Sequence, residues 1–285
     1  MAGTRNAIHA IQSEDWAGAT GERWRANLER FESMISPVGR ALMERAAFVP
    51  GERVVDIGCG GGATSMEIAR RVGERGEVLG IDVSPALIAA ATARASQAGI
   101  ANLRFLNADA ATARVERPFD RLFSRFGIMF FADFAAAFAN LHRMVRAGGR
   151  ADLAVWASPR ENPWMGELRA ILSRYVELPA PVPRAPGPFA LEEPEFLRSL
   201  LTTAGFASVD IERWRGEQLM GGAGADAASA ADFALNALPA GETLREQPDA
   251  VRARVQAELE ILFARYHTAA GIALAATAWL VTARA

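Results

Sequence analysis

The sequence predicts an α/β fold in which a mostly parallel sheet carries helices on both faces. Three observations carry that prediction. Short apolar strands alternate with amphipathic helices from Arg53 to Trp156, the pattern of repeated βαβ units. The first strand runs into a glycine-rich turn, VVDIGCGGGAT, Val54 to Thr64. The chain's end, WLVTARA, returns to strand-like sequence after a helical stretch.

The elements follow in order. Before about residue 50 the chain reads as helices. Trp24, Leu28 and Phe31 make an apolar stripe, and Ser36-Pro37 has the form of an N-cap followed by proline at the first helical position. A helix through Leu42 to about Ala47 stops near Pro50-Gly51. Arg53–Ile57 is the first strand, and Ile68 and Val72 mark the helix after the glycines. Glu77–Val83 is the second strand, and Ser84-Pro85 caps an alanine-rich helix ending near Gly99. Leu103–Leu106 is the third strand and Phe119–Phe123 opens the fourth. Asp133 caps a helix with the face Phe134, Phe138, Leu141 and Val145, ended by Gly148-Gly149. Ala151–Trp156 is the fifth strand.

Beyond it, Pro163–Val176 reads as helix. Leu178–Pro194 is too rich in proline for helix or central strand and is expected to be a surface loop or lid. Glu195–Ala204 is a helix stopped by Gly205, and Val209–Trp214 alternates like a strand. Gly221–Ala231 is a small-residue tract, and Val251, Val255, Leu259 and Leu262 form a helical stripe.

Composition bounds the function. The 285 residues, 51% hydrophobic and 22% charged, are ordinary for a globular chain. A net charge of −2 and a pI of about 6.0 give no electrostatic footprint for nucleic acid. Cys59 stands alone, which excludes an intramolecular disulfide and suits a reducing compartment. MAGTRNAIHAIQSEDW lacks the apolar run of a signal peptide. The most apolar tract, Ala269–Ala283, is shorter than the ~20 residues of a spanning helix. A cytoplasmic protein is expected, without a membrane span or a metal site; a homodimer is compatible with the sequence.

The glycine turn admits two kinds of ligand. Glycines after a strand let backbone approach a ligand, and the following helix N-terminus favours an anion. Gly58-Cys59-Gly60-Gly61-Gly62-Ala63 fits a dinucleotide fingerprint loosely. Asp56 argues for a cationic ligand instead, because a carboxylate ~5 Å from a phosphate costs roughly 3 kcal/mol at an effective dielectric of 20. Asp82, about twenty residues past the glycines, is placed to accept hydrogen bonds from ribose hydroxyls under either reading.

Asp56-x-Gly58-x-Gly60-x-Gly62 resembles the first motif of class I S-adenosylmethionine (SAM)-dependent methyltransferases. The resemblance covers Val49 to Ala157 well and the rest loosely, and it is nearest to the ubiquinone/menaquinone-biosynthesis-like branch. Asp109 and Ala110, in the run NADA, match the third motif, which reads adenine. Phe119–Phe131 resembles the fourth, where Ser124 and Arg125 pass the cofactor. LHRMVRAGGR resembles a helix-turn-strand that often reads L-R-P-G-G, with Ala147 in place of proline.

The resemblance implies a Rossmann-like, seven-stranded sheet with its last strand antiparallel, plus helical N-terminal and C-terminal cap insertions. It implies three parts: N-terminal helices over the cofactor at 1–48, a SAM-binding core at 49–157, and the remaining sheet with substrate-cap segments at 158–285. The cofactor contacts implied are Asp56, Gly58, Gly60, Gly62, Asp82, Val83, Asp109, Ala110, Ser124, Arg125 and Trp24. The implied activity is methyl transfer to an O, N or C atom of a small, apolar or aromatic metabolite. Trp16, Trp164 and Trp214 are weighed as pocket walls against plain packing.

No catalytic base is assigned: His9, His142, His267 and Tyr175 each have a more ordinary role, with His142 expected to face solvent. An NAD(P)-dependent oxidoreductase and a non-catalytic SAM-binding protein are the alternatives.

Overall fold

The computed structural model describes residues 13–285; His9 and most of the N-terminal segment lie outside the described residues. The chain opens with α1 (Ser13–Ala17), α2 (Ala19–Ala26) and α3 (Leu28–Ala46). β1 (Arg53–Ile57), α4 (Ala63–Val72), β2 (Glu77–Asp82), α5 (Pro85–Gln97), β3 (Leu103–Asn107) and β4 (Phe119–Arg125) follow. Next come α6 (Phe134–Arg143), β5 (Val145–Trp156), α7 (Pro163–Leu172), α8 (Pro194–Ala204) and β6 (Ala207–Met220). The chain closes with α9 (Ala227–Asn236), α10 (Asp249–Ala264), β7 (His267–Thr268) and β8 (Gly271–Arg284).

The strands form one sheet in the order β3-β2-β1-β4-β5-β8-β6. β1 to β5 pair in parallel, and β8 runs antiparallel to both β5 and β6. The expected seven strands and antiparallel last strand are therefore present. The two-residue β7 is an eighth, a small hairpin on β8. Strand order reverses between β1 and β4, so their carboxyl ends flank the crevice where open α/β sheets bind ligands.

Three local readings are corrected. Ser36-Pro37 starts no helix, because α3 runs through it with Phe31, Met34, Ile35, Val38, Leu42 and Met43 all buried. Pro37 donates no hydrogen bond to the Ser33 carbonyl one turn back, and the Ser36 hydroxyl donates there instead, at 3.0 Å. A side chain thus repairs the ladder, and the buried stripe outweighs the local cap signal.

The helix α6 ends at Arg143, and Val145 with Gly148-Gly149 belongs to β5, whose pairing with β4 begins at Phe119 opposite Val145. The small-residue tract is a turn followed by α9, capped by Asp226 accepting from the Ser229 amide at 2.8 Å.

Candidate active site

The β1–α4 turn is built by close backbone approach. Gly58 has φ +66°, and a Cβ there would lie 2.6 Å from the Cα of Gly127, just past β4. Gly58 therefore admits only hydrogen, both for conformation and for space. Asp82 ends β2 and ties the turn down. Its Oδ2 accepts from the Gly60 amide at 2.9 Å and its Oδ1 from the Ser84 amide at 2.9 Å. Burial raises the Asp82 carboxyl above its ordinary range, opposed by those amides.

A latch crosses the turn from the N-terminal helices. Glu32 of α3 takes both guanidinium nitrogens of Arg94, at 2.7 and 2.9 Å, and Arg94 also donates to the Gly61 carbonyl at 2.6 Å. Sequence reasoning missed this pair, since the partners lie in helices far apart in the chain.

At the carboxyl ends of the strands lies a cavity of about 1200 Å³, above the usual range for a single small ligand. Gly58, Gly60, Asp82, Val83, Asp109, Ala110, Arg125 and Trp24 all line it. Asp109 is held by an Ala111 amide on Oδ1 at 2.8 Å. Its Oδ2 and the neighbouring Ala110 amide have no partner among the described residues. An acceptor beside a donor is the complement of an adenine edge, and Asp82 keeps lone pairs for ribose hydroxyls.

Three expected contacts do not line the cavity. Asp56 is buried behind the turn, where its Oδ2 accepts from Thr64 at 2.7 Å and Ser65 at 2.6 Å. Burial, with Asp82 adding to it, pushes its carboxyl up to about 6 against those hydroxyls and the Arg125 charge. Asp56 thus fixes the start of α4 rather than facing a ligand, and the charge argument built on it loses its geometry. Gly62 faces inward, where a Cβ would meet Phe105 and Ala91. Ser124 is buried and donates to the Ile57 carbonyl at 2.8 Å.

Aromatic groups line the rest of the cavity. Trp24 stacks on Phe31 with ring centroids 3.7 Å apart, and Trp16 meets Phe130 edge-on at 5.0 Å. Phe126, a bulky residue at φ +66°, stacks on Trp156 at 4.2 Å. Such a conformation in a bulky residue is rare, and its strain had no sequence signal. Trp164 and the proline tract from Pro179 to Pro188 also line the cavity, whereas Trp214 does not.

Among the described residues, none of the candidate bases lines it. His142 is half-buried, edge-on to Phe206 at 4.8 Å rather than facing solvent. His267 is exposed on β7, and Tyr175 donates to Glu258. Cys59 does line the cavity, but burial drives its thiol well above the ordinary range, which leaves it protonated. Glu192, unremarked in the sequence, lines the cavity with one buried carboxylate oxygen unpartnered; burial raises its carboxyl.

Residues 54–149 match the family model described as a methyltransferase domain. The match runs from β1 into β5. The chain is 37% identical over 116 residues to the aklanonic acid methyltransferase DauC of Streptomyces sp. (strain C5), covering 40% of this chain and 53% of that protein. It is 29% identical over 172 residues to the demethylmenaquinone methyltransferase of Thermus thermophilus, covering 55% and 74%. The match thus spans about half the length of the first of these relatives.

The YcgJ protein of Bacillus subtilis has the same fold, with a TM-score of 0.56 at 19% identity over 86% of this chain and 96% of that one. Among the described residues no helix is long and apolar enough to cross a membrane, and no cluster of three acidic, histidine or cysteine side chains is placed to hold a metal ion.

Proposed function

We propose that this methyltransferase moves the methyl group of S-adenosylmethionine to an O, N or C atom of a small, apolar or aromatic metabolite. The observation that carries the reading is one cavity lined by two unlike sets of groups. One set is the Asp82 carboxylate and the Asp109–Ala110 pair, and the other is the Phe126–Trp156 stack and Trp164. In this reading Asp82 holds the ribose, Asp109 and Ala110 the adenine, and the Gly58–Gly60 backbone the amino acid end.

Bound S-adenosylmethionine supplies an electrophilic methyl on a sulfonium. The chain supplies alignment and dryness. Holding an acceptor in line contributes up to ~7–11 kcal/mol, and the aromatic wall with the proline tract excludes water. No base touches the reacting atoms in this account, which fits acceptors whose reacting atom carries a lone pair or ionises in solution.

The relatives' names, an aklanonic acid and a demethylmenaquinone methyltransferase, favour a metabolite of modest size. Further parts of the proposal are the division at 1–48, 49–157 and 158–285, a cytoplasmic location that suits the single thiol of Cys59, and no nucleic-acid partner. The test is a thermal melt with S-adenosylhomocysteine or NADH, then labelled methyl incorporation over a panel of phenols, acids and amines. A rise with S-adenosylhomocysteine alone supports the reading, and a rise with NADH alone transfers it to an oxidoreductase. Cofactor binding with no incorporation on any acceptor favours the non-catalytic reading.

A further inference from the structure

Arg125 ends β4 with its side chain half-buried and lining the cavity, and it forms no hydrogen bond or ion pair among the described residues. The contrast with other arginines is plain. Arg94 is held by Glu32 and the Gly61 carbonyl, and Arg121 by Asp152 at 2.8 Å and Glu52 at 3.1 Å. A guanidinium carries five donors in a fixed fork, and withdrawing it from water without a partner is costly. Burial holds Arg125 below the usual arginine range, while the fields of Glu32 and Asp56 pull the other way.

Neither carboxylate serves as its partner. Glu32 spends both oxygens on Arg94; Asp56 gives Oδ2 to the Thr64 and Ser65 hydroxyls, and its buried Oδ1 makes no hydrogen bond, to Arg125 or to any other described residue.

The helix beside it is shaped for this side chain. Gly39 lies inside α3, where glycine costs about 1 kcal/mol relative to alanine. A Cβ there would stand 2.8 Å from Arg125 Nη1 and 3.1 Å from its Cδ. The glycine thus leaves room on α3 for both the Cδ of the arginine stem and one edge of its head, while the residue lines the cavity. The head's chemistry is bidentate and anionic, and its planar fork matches a carboxylate.

We propose that Arg125 is the carboxylate anchor of this cavity, pairing through its guanidinium with a carboxylate borne by one of the two molecules the site takes. The proposal rests on the methyltransferase reading above. That carboxylate is the amino acid end of the cofactor or an acid group of the acceptor, and the experiment separates the two. Calorimetric titrations compare S-adenosylmethionine with decarboxylated S-adenosylmethionine. They also compare 2-naphthoate with 2-naphthamide on protein saturated with S-adenosylhomocysteine, and again on protein without it. Each pair is run on the unaltered chain and on Arg125→Gln and Arg125→Lys.

In one of the two pairs the unaltered chain prefers the carboxylate-bearing member by about tenfold or more. Arg125→Gln reduces that preference to within about twofold and leaves the other pair as it was, and Arg125→Lys falls between. Preference in the first pair names the cofactor, and in the second the acceptor. A preference under about twofold in both pairs on the unaltered chain overturns the proposal whether or not the variants fold, as does a preference that survives Arg125→Gln. If neither cofactor form binds, the methyltransferase reading fails, and the naphthoate pair on protein without S-adenosylhomocysteine still decides the role of Arg125.

Discussion

The Asp82 carboxylate receives the Gly60 amide at 2.9 Å, so the end of β2 and the glycine turn of β1 are one unit. Asp82 does two things in this arrangement: it fixes the turn and it offers lone pairs to a ribose. Asp82→Ala removes both, and S-adenosylmethionine affinity is expected to fall about tenfold or more by titration calorimetry. Asp82→Asn keeps one accepting oxygen for the amides and is expected to lose less. Equal affinity in the unaltered chain and Asp82→Ala would show that the ribose lies elsewhere.

Asp56 makes a pH-dependent prediction. Its carboxyl is raised from 3.8 to about 6 in the folded chain, chiefly by burial. The sign follows from proton binding. The folded state holds the proton more tightly, so the group's stabilising contribution is complete below about pH 3.8 and is lost as pH rises through about 6. Ionised at neutral pH, Asp56 then costs the fold about 3 kcal/mol relative to an unshifted group. Asp56→Asn abolishes the titration and keeps an oxygen for Thr64 and Ser65. In urea unfolding, the stability of Asp56→Asn relative to the unaltered chain is expected to improve by about 1–2 kcal/mol between pH 5 and pH 7.5. A difference independent of pH would refute the shift.

The roles of Asp56 and Asp82 show which parts of the site were legible in the sequence. Residues at the carboxyl end of a parallel strand are delivered to the crevice by topology, and Asp82, Asp109 and Arg125 were readable on that ground. The direction of Asp56 was not. Its partners, Thr64 and Ser65, are visible in the sequence, yet only the path of the turn brings their hydroxyls onto the carboxylate. The five parallel strands were readable from the βαβ alternation, whereas the Ser36-Pro37 misreading came from weighing a local signal over a stripe that continues on both sides of it. The Glu32–Arg94 latch and the Phe126–Trp156 stack depend on long-range packing that no period in the sequence encodes.

The repair of α3 at Pro37 can be measured directly. The Ser36 hydroxyl serves the Ser33 carbonyl at 3.0 Å, in a helix whose inner face is buried along most of its length. Ser36→Ala is expected to cost about 1 kcal/mol, the net worth of one such bond. Pro37→Ala restores the backbone donor, so Ser36→Ala made on top of it is expected to cost little. A full cost for Ser36→Ala in the Pro37→Ala background would mean the hydroxyl acts elsewhere.

Asp152 is the site's counterexample, a buried charge that belongs to the frame. It lies in β5 without lining the cavity. It accepts from Arg121 at 2.8 Å, from Arg150 Nε at 2.9 Å and from Thr282 at 3.3 Å. Arg121 also reaches Glu52 at 3.1 Å and the Ala46 carbonyl at the end of α3. The cluster therefore pins α3 to the middle of the sheet. Breaking a buried pair outright costs about 3–5 kcal/mol; Arg121 keeps Glu52 and the Ala46 carbonyl, so Asp152→Ala is expected to lower unfolding stability by less than that. Removing both charges, as Asp152→Leu with Arg121→Met, is expected to recover part of it, because apolar replacements of a buried pair are often close to neutral while Glu52 and Arg150 each lose a partner. Affinity for S-adenosylhomocysteine, measured well below the melting temperature, is expected to stay within about twofold in both variants. A loss of affinity in the stable double variant would place Asp152 in the binding machinery rather than beneath it.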